Sequence, residues 1–162
     1  MGGMVQASCF FADDRLWLGT WKNVNLMLWR GHVTPQHLDK MRDYYANLSK
    51  VTPKWHALSI ISSDRLPKIG PTERERIREL SVMSLPHLLS MAQVVEGTGR
   101  WAAAVRALLL GVNTMSKAPS SVFSLEQAAC EWMAKRGLED PHGLAEAVAE
   151  TRREWAKVQP AA

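Results

Sequence analysis

The clearest chemical spacing in the chain lies in VVEGTGRWAAAVRALLLG, residues 94–111, where Gly97, Gly99 and Ala102 stand in the G-x-G-x-x-[GA] order of a dinucleotide-binding turn. In such a turn the glycines let backbone approach a pyrophosphate at a helix N-terminus. The surroundings oppose that use. The turn follows a late strand-like segment, and about 20 residues on, where an acid should contact a ribose, the chain reads SKAPSS. Trp101 also occupies the helix start, where phosphates would rest. Gly97 and Gly99 therefore read as a short strand-to-helix connection that needs positive φ, and no cofactor is expected.

Other candidates for chemistry are weaker. Ser62, Ser63 and Asp64 close an apolar run, and ligands in open α/β sheets gather at the carboxyl ends of strands. Ser and Asp are also ordinary turn residues, and no histidine is placed by sequence to activate either serine. An enzyme would need Ser62, Asp64 or His87 to converge in one cleft; no catalytic residue is assigned. The histidines, His32, His37, His56, His87 and His142, show neither H-x-H nor H-E-x-x-H spacing and read as surface and loop residues, not metal ligands. Thr72 with Glu75 three residues on reads as a capping box, and Arg74, Glu75, Arg78 and Glu79 as a solvated face with local ion pairs. Cys9 and Cys130 suit a reduced compartment and anchor no metal motif.

The elements that must position these residues follow from apolar periodicity. RLWLGTWKNVNLMLWRG predicts a β-hairpin with strands at 16–21 and 24–29 around Lys22-Asn23, and ASCFFA offers an earlier strand. Thr34 as N-cap and Pro35 as first helical residue open a helix whose Leu38, Met41, Tyr45 and Leu48 share a face. HALSIISS, SMAQVVE and SVFS read as further strands, and GPTERERIREL and the segment from Trp101 to Val112 as helices between them. The helix LEQAACEWMAKRG should bury Leu125, Ala128, Ala129 and Trp132 and stop at Gly137. A last helix from Asp140-Pro141 to about Val158 carries the narrow stripe Leu144, Val148, Thr151 and Trp155. Strands separated by helices need crossovers, so most of the sheet should be parallel.

A chain of 162 residues, 46% hydrophobic and 22% charged, suits a compact domain. Its 20 basic residues outnumber its 16 acidic ones but are scattered beside them, so no nucleic-acid stripe appears. The start lacks the basic residues of a signal peptide, and the longest apolar run, WAAAVRALLLGV, contains Arg106 and is too short to span a bilayer. A cytoplasmic protein without membrane insertion is expected.

The succession VNLMLWRGHVTPQHLDKM, HALSIISS, AQVVEGTGRWAAAVRALL and VFSLEQAACEWMA resembles the STAS/SpoIIAA-like family of bacterial anti-sigma factor antagonists and related domains, over roughly residues 14–136. Phe123, Ala129 and Trp132 match the closing segment of those domains. The resemblance implies an α/β fold: a STAS/SpoIIAA-like mixed sheet of four to five strands with helices mainly on one face. Here that domain would occupy 1–136, with 137–162 an appended C-terminal helix. It also implies phosphorylation at the start of the second helix, in a motif like Asp-Ser-Ser-Gly. That place holds KIGPTERER, where Thr72 is the nearest hydroxyl and the aspartate and tandem serines are absent.

Seven tryptophans bear on what such a domain would do. In period-two strands Trp17 and Trp21 oppose Leu16 and Leu18, and Leu26 and Leu28 oppose Met27 and Trp29, so both faces of the hairpin are apolar. With helices on one face, the second face needs a cover: the C-terminal helix with Trp155, a second copy of the chain, or an apolar ligand. Trp17, Trp21, Met27 and Trp29 are thus the candidate partner-contact residues, and Thr72 the candidate regulatory one. The expected role is a non-catalytic bacterial regulatory or scaffolding domain that acts through protein contacts as a homodimer; the alternative is a small-molecule sensor or carrier for an apolar ligand or lipid.

Overall fold

The computed structural model describes residues 6–30, 33–62, 70–113 and 117–158. In chain order they form β1 (Ser8–Ala12), β2 (Leu16–Trp21), β3 (Val24–Arg30), α1 (Pro35–Val51), β4 (Trp55–Ser62), α2 (Pro71–Ser84), β5 (Leu88–Val95), α3 (Arg100–Asn113), β6 (Ser120–Phe123), α4 (Glu126–Ala134) and α5 (Pro141–Trp155). One six-stranded sheet carries the strands in the order β1-β2-β3-β4-β5-β6. The first three are antiparallel and β3 to β6 run parallel. The strand count exceeds the expected four to five because ASCFFA pairs along β2 as an edge strand.

Local signals explain most elements. Lys22 takes φ 50, and the turn Lys22-Asn23 joins β2 to β3 with Trp21 opposite Val24. Gly19 sits in β2 because a Cβ there would strike the Ser8 carbonyl oxygen and the Trp17 ring. Thr34 caps α1 by accepting from the His37 N–H, with Pro35 in the first turn. The predicted face of Leu38, Met41, Tyr45 and Leu48 is buried, joined by Tyr44, whose hydroxyl donates to the Gly19 carbonyl at 2.6 Å.

Two helix starts differ from expectation. α2 takes Gly70 as its N-cap, without a side-chain cap, because Pro71 fits the first helical position. Thr72 is therefore inside the first turn, exposed, and forms no capping box; the Glu75 carboxylate instead pairs with Arg78 at 2.5 Å. In α4 Leu125 is the N-cap and lies 67% exposed, while the buried side is Ala129, Cys130 and Met133. Gly137, at φ 100, lets the Leu138 N–H return to the Met133 carbonyl and close α4.

Helices cover both faces of the sheet, which corrects the expectation of helices mainly on one. Leu16, Leu18, Met27, Trp29 and Trp55 pack with Leu38, Met41, Tyr44, Tyr45 and Leu48 of α1 and Leu80 of α2. α3 continues that layer through Ala102 and Val105 against Val95, Ile61 and Val122. On the opposite face Trp17, Trp21, Leu26, Leu28, Leu58 and Ile60 pack with α4 and with Leu144, Ala147, Val148 and Trp155 of α5. The C-terminal helix thus shares a core with the sheet, so the expected division between 1–136 and 137–162 does not divide the packing. Among the described residues no helix is long and apolar enough to cross a membrane.

Candidate functional site

Parallel β3, β4 and β5 end together at Arg30, Ser62 and Val95, and the helices that follow them begin at the same end of the sheet. This is the end at which α/β sheets gather ligands. The β1–β2 turn, the start of α1 and the end of α5 join it. Asp13 organises the turn: its Oδ1 accepts from the N–H groups of Arg15 and Leu16, both at 2.8 Å, and its carbonyl accepts from Trp155 Nε1 at 2.7 Å. Its Oδ2 lies 2.7 Å from His37 Nε2. Burial opposes the Asp13 charge, but the bonds from Arg15, His37 and Leu16 prevail and hold its carboxyl below the usual range.

His37 Nδ1 accepts from the Thr34 N–H at 3.2 Å, which assigns the ring proton to Nε2, facing Asp13. Thr34 Oγ1 lies 3.0 Å from the same Nδ1. A carboxylate, an imidazole and a hydroxyl in line are the parts of an activated nucleophile. Here the hydroxyl already accepts from the His37 N–H at 3.2 Å, and the three-residue spacing of a capping box accounts for the whole contact. An open groove of about 350 Å³ borders the pair, with Arg15 and Lys40 among its walls.

On the α5 side of the sheet a second network spans the strand ends. Ser62 donates to Glu96 Oε1 at 2.8 Å, and Arg152 Nη2 donates to Glu96 Oε1 at 2.6 Å and Glu126 Oε2 at 3.0 Å. Arg30 lies over the Trp155 ring, its guanidinium carbon 3.6 Å from the ring centroid, and donates to the Trp155 carbonyl at 3.2 Å. Between them is a cavity of about 160 Å³.

The structure distributes the sequence candidates as follows. Trp17, Trp21, Met27 and Trp29 are 6%, 2%, 5% and 8% exposed, and they do not share a face: the first two lie under α4 and α5, the last two under α1 and α2. The chain's own helices therefore cover the sheet that a second copy was expected to cover. Ser62 ends β4, whereas His87 precedes β5 at the opposite end, stacked on Trp55 with its Nδ1 2.8 Å from the Pro53 carbonyl oxygen. At about 3.3 Å per residue they are roughly 20 Å apart along the strand, and do not converge; Ser63, Asp64 and His32 lie outside the described residues. His37 and His56 are buried, against the surface-and-loop reading. No group of three or more metal-ligating side chains occurs among the described residues. Gly97 and Gly99 do take positive φ, 103 and 113, and the Trp101 ring lies over Gly97 as expected, with Arg106 donating to the Val95 and Gly97 carbonyls.

Sequence reasoning missed Asp13, Arg30, Glu96 and Arg152. Only the Thr34-x-x-His37 spacing held a local signal, and a histidine in the place of Glu or Gln obscured it.

No family model and no curated protein matches the chain. Among solved structures it is similar to an uncharacterized protein of the DUF3478 family with a SpoIIAA-like fold from Shewanella loihica PV-4, with a TM-score of 0.54 and 11% identity, over 82% of this chain and 97% of that one. The chain has the SpoIIAA-like fold.

Proposed function

We propose that this SpoIIAA-like chain is a bacterial regulatory or scaffolding module that acts through protein contacts, without chemistry of its own, and that its first partner is a second copy. The observation that carries this reading is the outer face of α3. The helix is apolar on nearly every side, yet among its described side chains only Ala102 and Val105 are buried. Ala103, Ala104, Ala107, Leu108 and Leu110 face outward and exposed, Leu108 at 51% and Leu110 at 49%. Helices apolar all round are ordinarily buried, and contiguous exposed apolar surface marks interfaces.

A second copy fits this face because it is self-complementary. The two projecting leucines flank a shallow row of alanines on either side of the arc, so a two-fold axis would lay the alanine rows of two copies together with the leucines closing the edges. Arg106 is turned away from the outer arc to the Val95 and Gly97 carbonyls, and Arg100 at the helix start is the exposed charge at the end of that arc. The test is molar mass by light scattering for the wild type and for Leu108→Glu. The expected result is a dimer that becomes a cooperatively melting monomer, with a melting temperature lowered only by the lost association and no longer dependent on protein concentration. Monomeric wild type at high micromolar concentration, or a dimer that survives the substitution, would overturn it.

A further inference from the structure

We infer that α3 docks on and swings off the sheet as a unit, that Arg106 is the latch that holds it, and that the α3 face is presented for association only while the latch is closed. The gating rests on the proposed α3 interface; the latch does not. Packing alone holds this helix lightly. α1 buries Leu38, Met41, Tyr44, Tyr45 and Leu48 against the sheet, whereas the described side chains of α3 bury Ala102 and Val105 in a cluster whose other buried member is Val95. Apolar stabilisation follows the area removed from water, so α3 gains much less from its contact than α1. An element with few buried apolar contacts opens before the whole fold does.

One side chain supplements that small contact. Arg106 turns back along the helix, and its Nη2 donates to the Val95 carbonyl at 2.9 Å and to the Gly97 carbonyl at 2.7 Å. These carbonyls belong to the last residue of β5 and to the turn that joins it to α3. β6 pairs with β5 only as far as Val94, and the guanidinium takes the Val95 carbonyl beyond it. A charged donor makes this bond stronger than a neutral one, and breaking it leaves a part-buried carbonyl without a partner. The pivot is the turn itself. Gly97 and Gly99 hold φ of 103 and 113, and a Cβ on Gly99 would meet nothing within 4 Å, so the joint has both the backbone freedom and the space to swing. When α3 swings out, the row of alanines on its outer arc loses its fixed orientation. A second copy that packs on that row therefore selects the docked form.

Hydrogen exchange of the full-length protein, read by peptide mass spectrometry, tests both parts. In Leu108→Glu, where the α3 face cannot associate, amides of α3 should exchange at least about tenfold faster than those of α1. In the same background Arg106→Gln should speed the α3 amides by a further factor of about ten, the loss of a charged donor, and leave α1 unchanged. Val105→Ala should act in the same direction through packing, and it decides the matter if Arg106→Gln folds poorly. Exchange of α3 in step with α1, or a substitution effect of equal size in both helices, would overturn the latch. In the wild type, α3 exchange should slow as protein concentration rises, because association selects the docked helix. A rate independent of concentration, with Arg106→Gln still effective, would overturn the gating and leave the latch standing.

Discussion

His56 shows how much one buried side chain can decide. It is fully buried on the α4–α5 side, with Nδ1 2.7 Å from Ser90 Oγ and Nε2 without a partner. Burial lowers its pKa below the ordinary histidine value, so the folded chain releases the proton more readily than the unfolded chain, which titrates near about 6.5. Stability is then fully present above that pH and falls as pH drops below it, because the unfolded state binds the proton first. Melting temperature should decline between neutral pH and pH 5, and in His56→Leu the decline should be visibly smaller. Equal slopes for the two proteins would assign the pH dependence to other groups. None of this was legible in the sequence: a lone histidine in HALSIISS carries no sign of which face it occupies or that Ser90 stands opposite. Asp13 and His37 make the same point, since they meet across 24 residues while only Thr34 and Pro35 announced their local roles.

Elements were the most legible scale, because their signals are local. The hairpin strands, the α1 face and the α5 stripe follow from periods of two and of 3.6, and all fall where those periods put them. The errors are equally local. Thr72 and Glu75 satisfied a capping box in letters, but Pro71 shifted the helix start by enough to place Thr72 inside it. The glycine turn between β5 and α3 offers a quantitative check on the same kind of reasoning. Gly97 and Gly99 share a positive φ, but a Cβ on Gly97 would lie 3.3 Å from the Trp101 ring while one on Gly99 would meet nothing within 4 Å. Gly99→Ala should cost about 1 kcal/mol for the backbone alone, and Gly97→Ala more, by whatever the Trp101 contact resists. Chemical denaturation measures both; a larger cost at Gly99 would mean that the ring contact is not a constraint.

At the scale of the whole molecule, the sequence showed that both sheet faces are apolar but not what covers them. Period two reports apolarity; it does not say whether the covering side chains come from the same chain. Here the cover on the Trp17 and Trp21 side is α4 and α5. Removing residues 137–162 should therefore expose that face, abolish cooperative thermal unfolding and raise binding of a hydrophobic dye. A truncated chain that melts cooperatively as a monomer would restore the view of the last helix as an appendage.

The sheet order follows the chain order from β1 to β6, so each strand can pair as soon as it is made with the one before it. The contacts of α5 do not follow that order: Trp155, for one, reaches back to Asp13, 142 residues away. During synthesis, the layer of α1, α2 and α3 can settle while the opposite face waits for the last helix to leave the ribosome. Trp17, Trp21 and Leu28 are then among the first residues made and among the last to be sheltered. Slow translation of the final segment would prolong the interval in which nascent chains can stick to one another or be held by a chaperone.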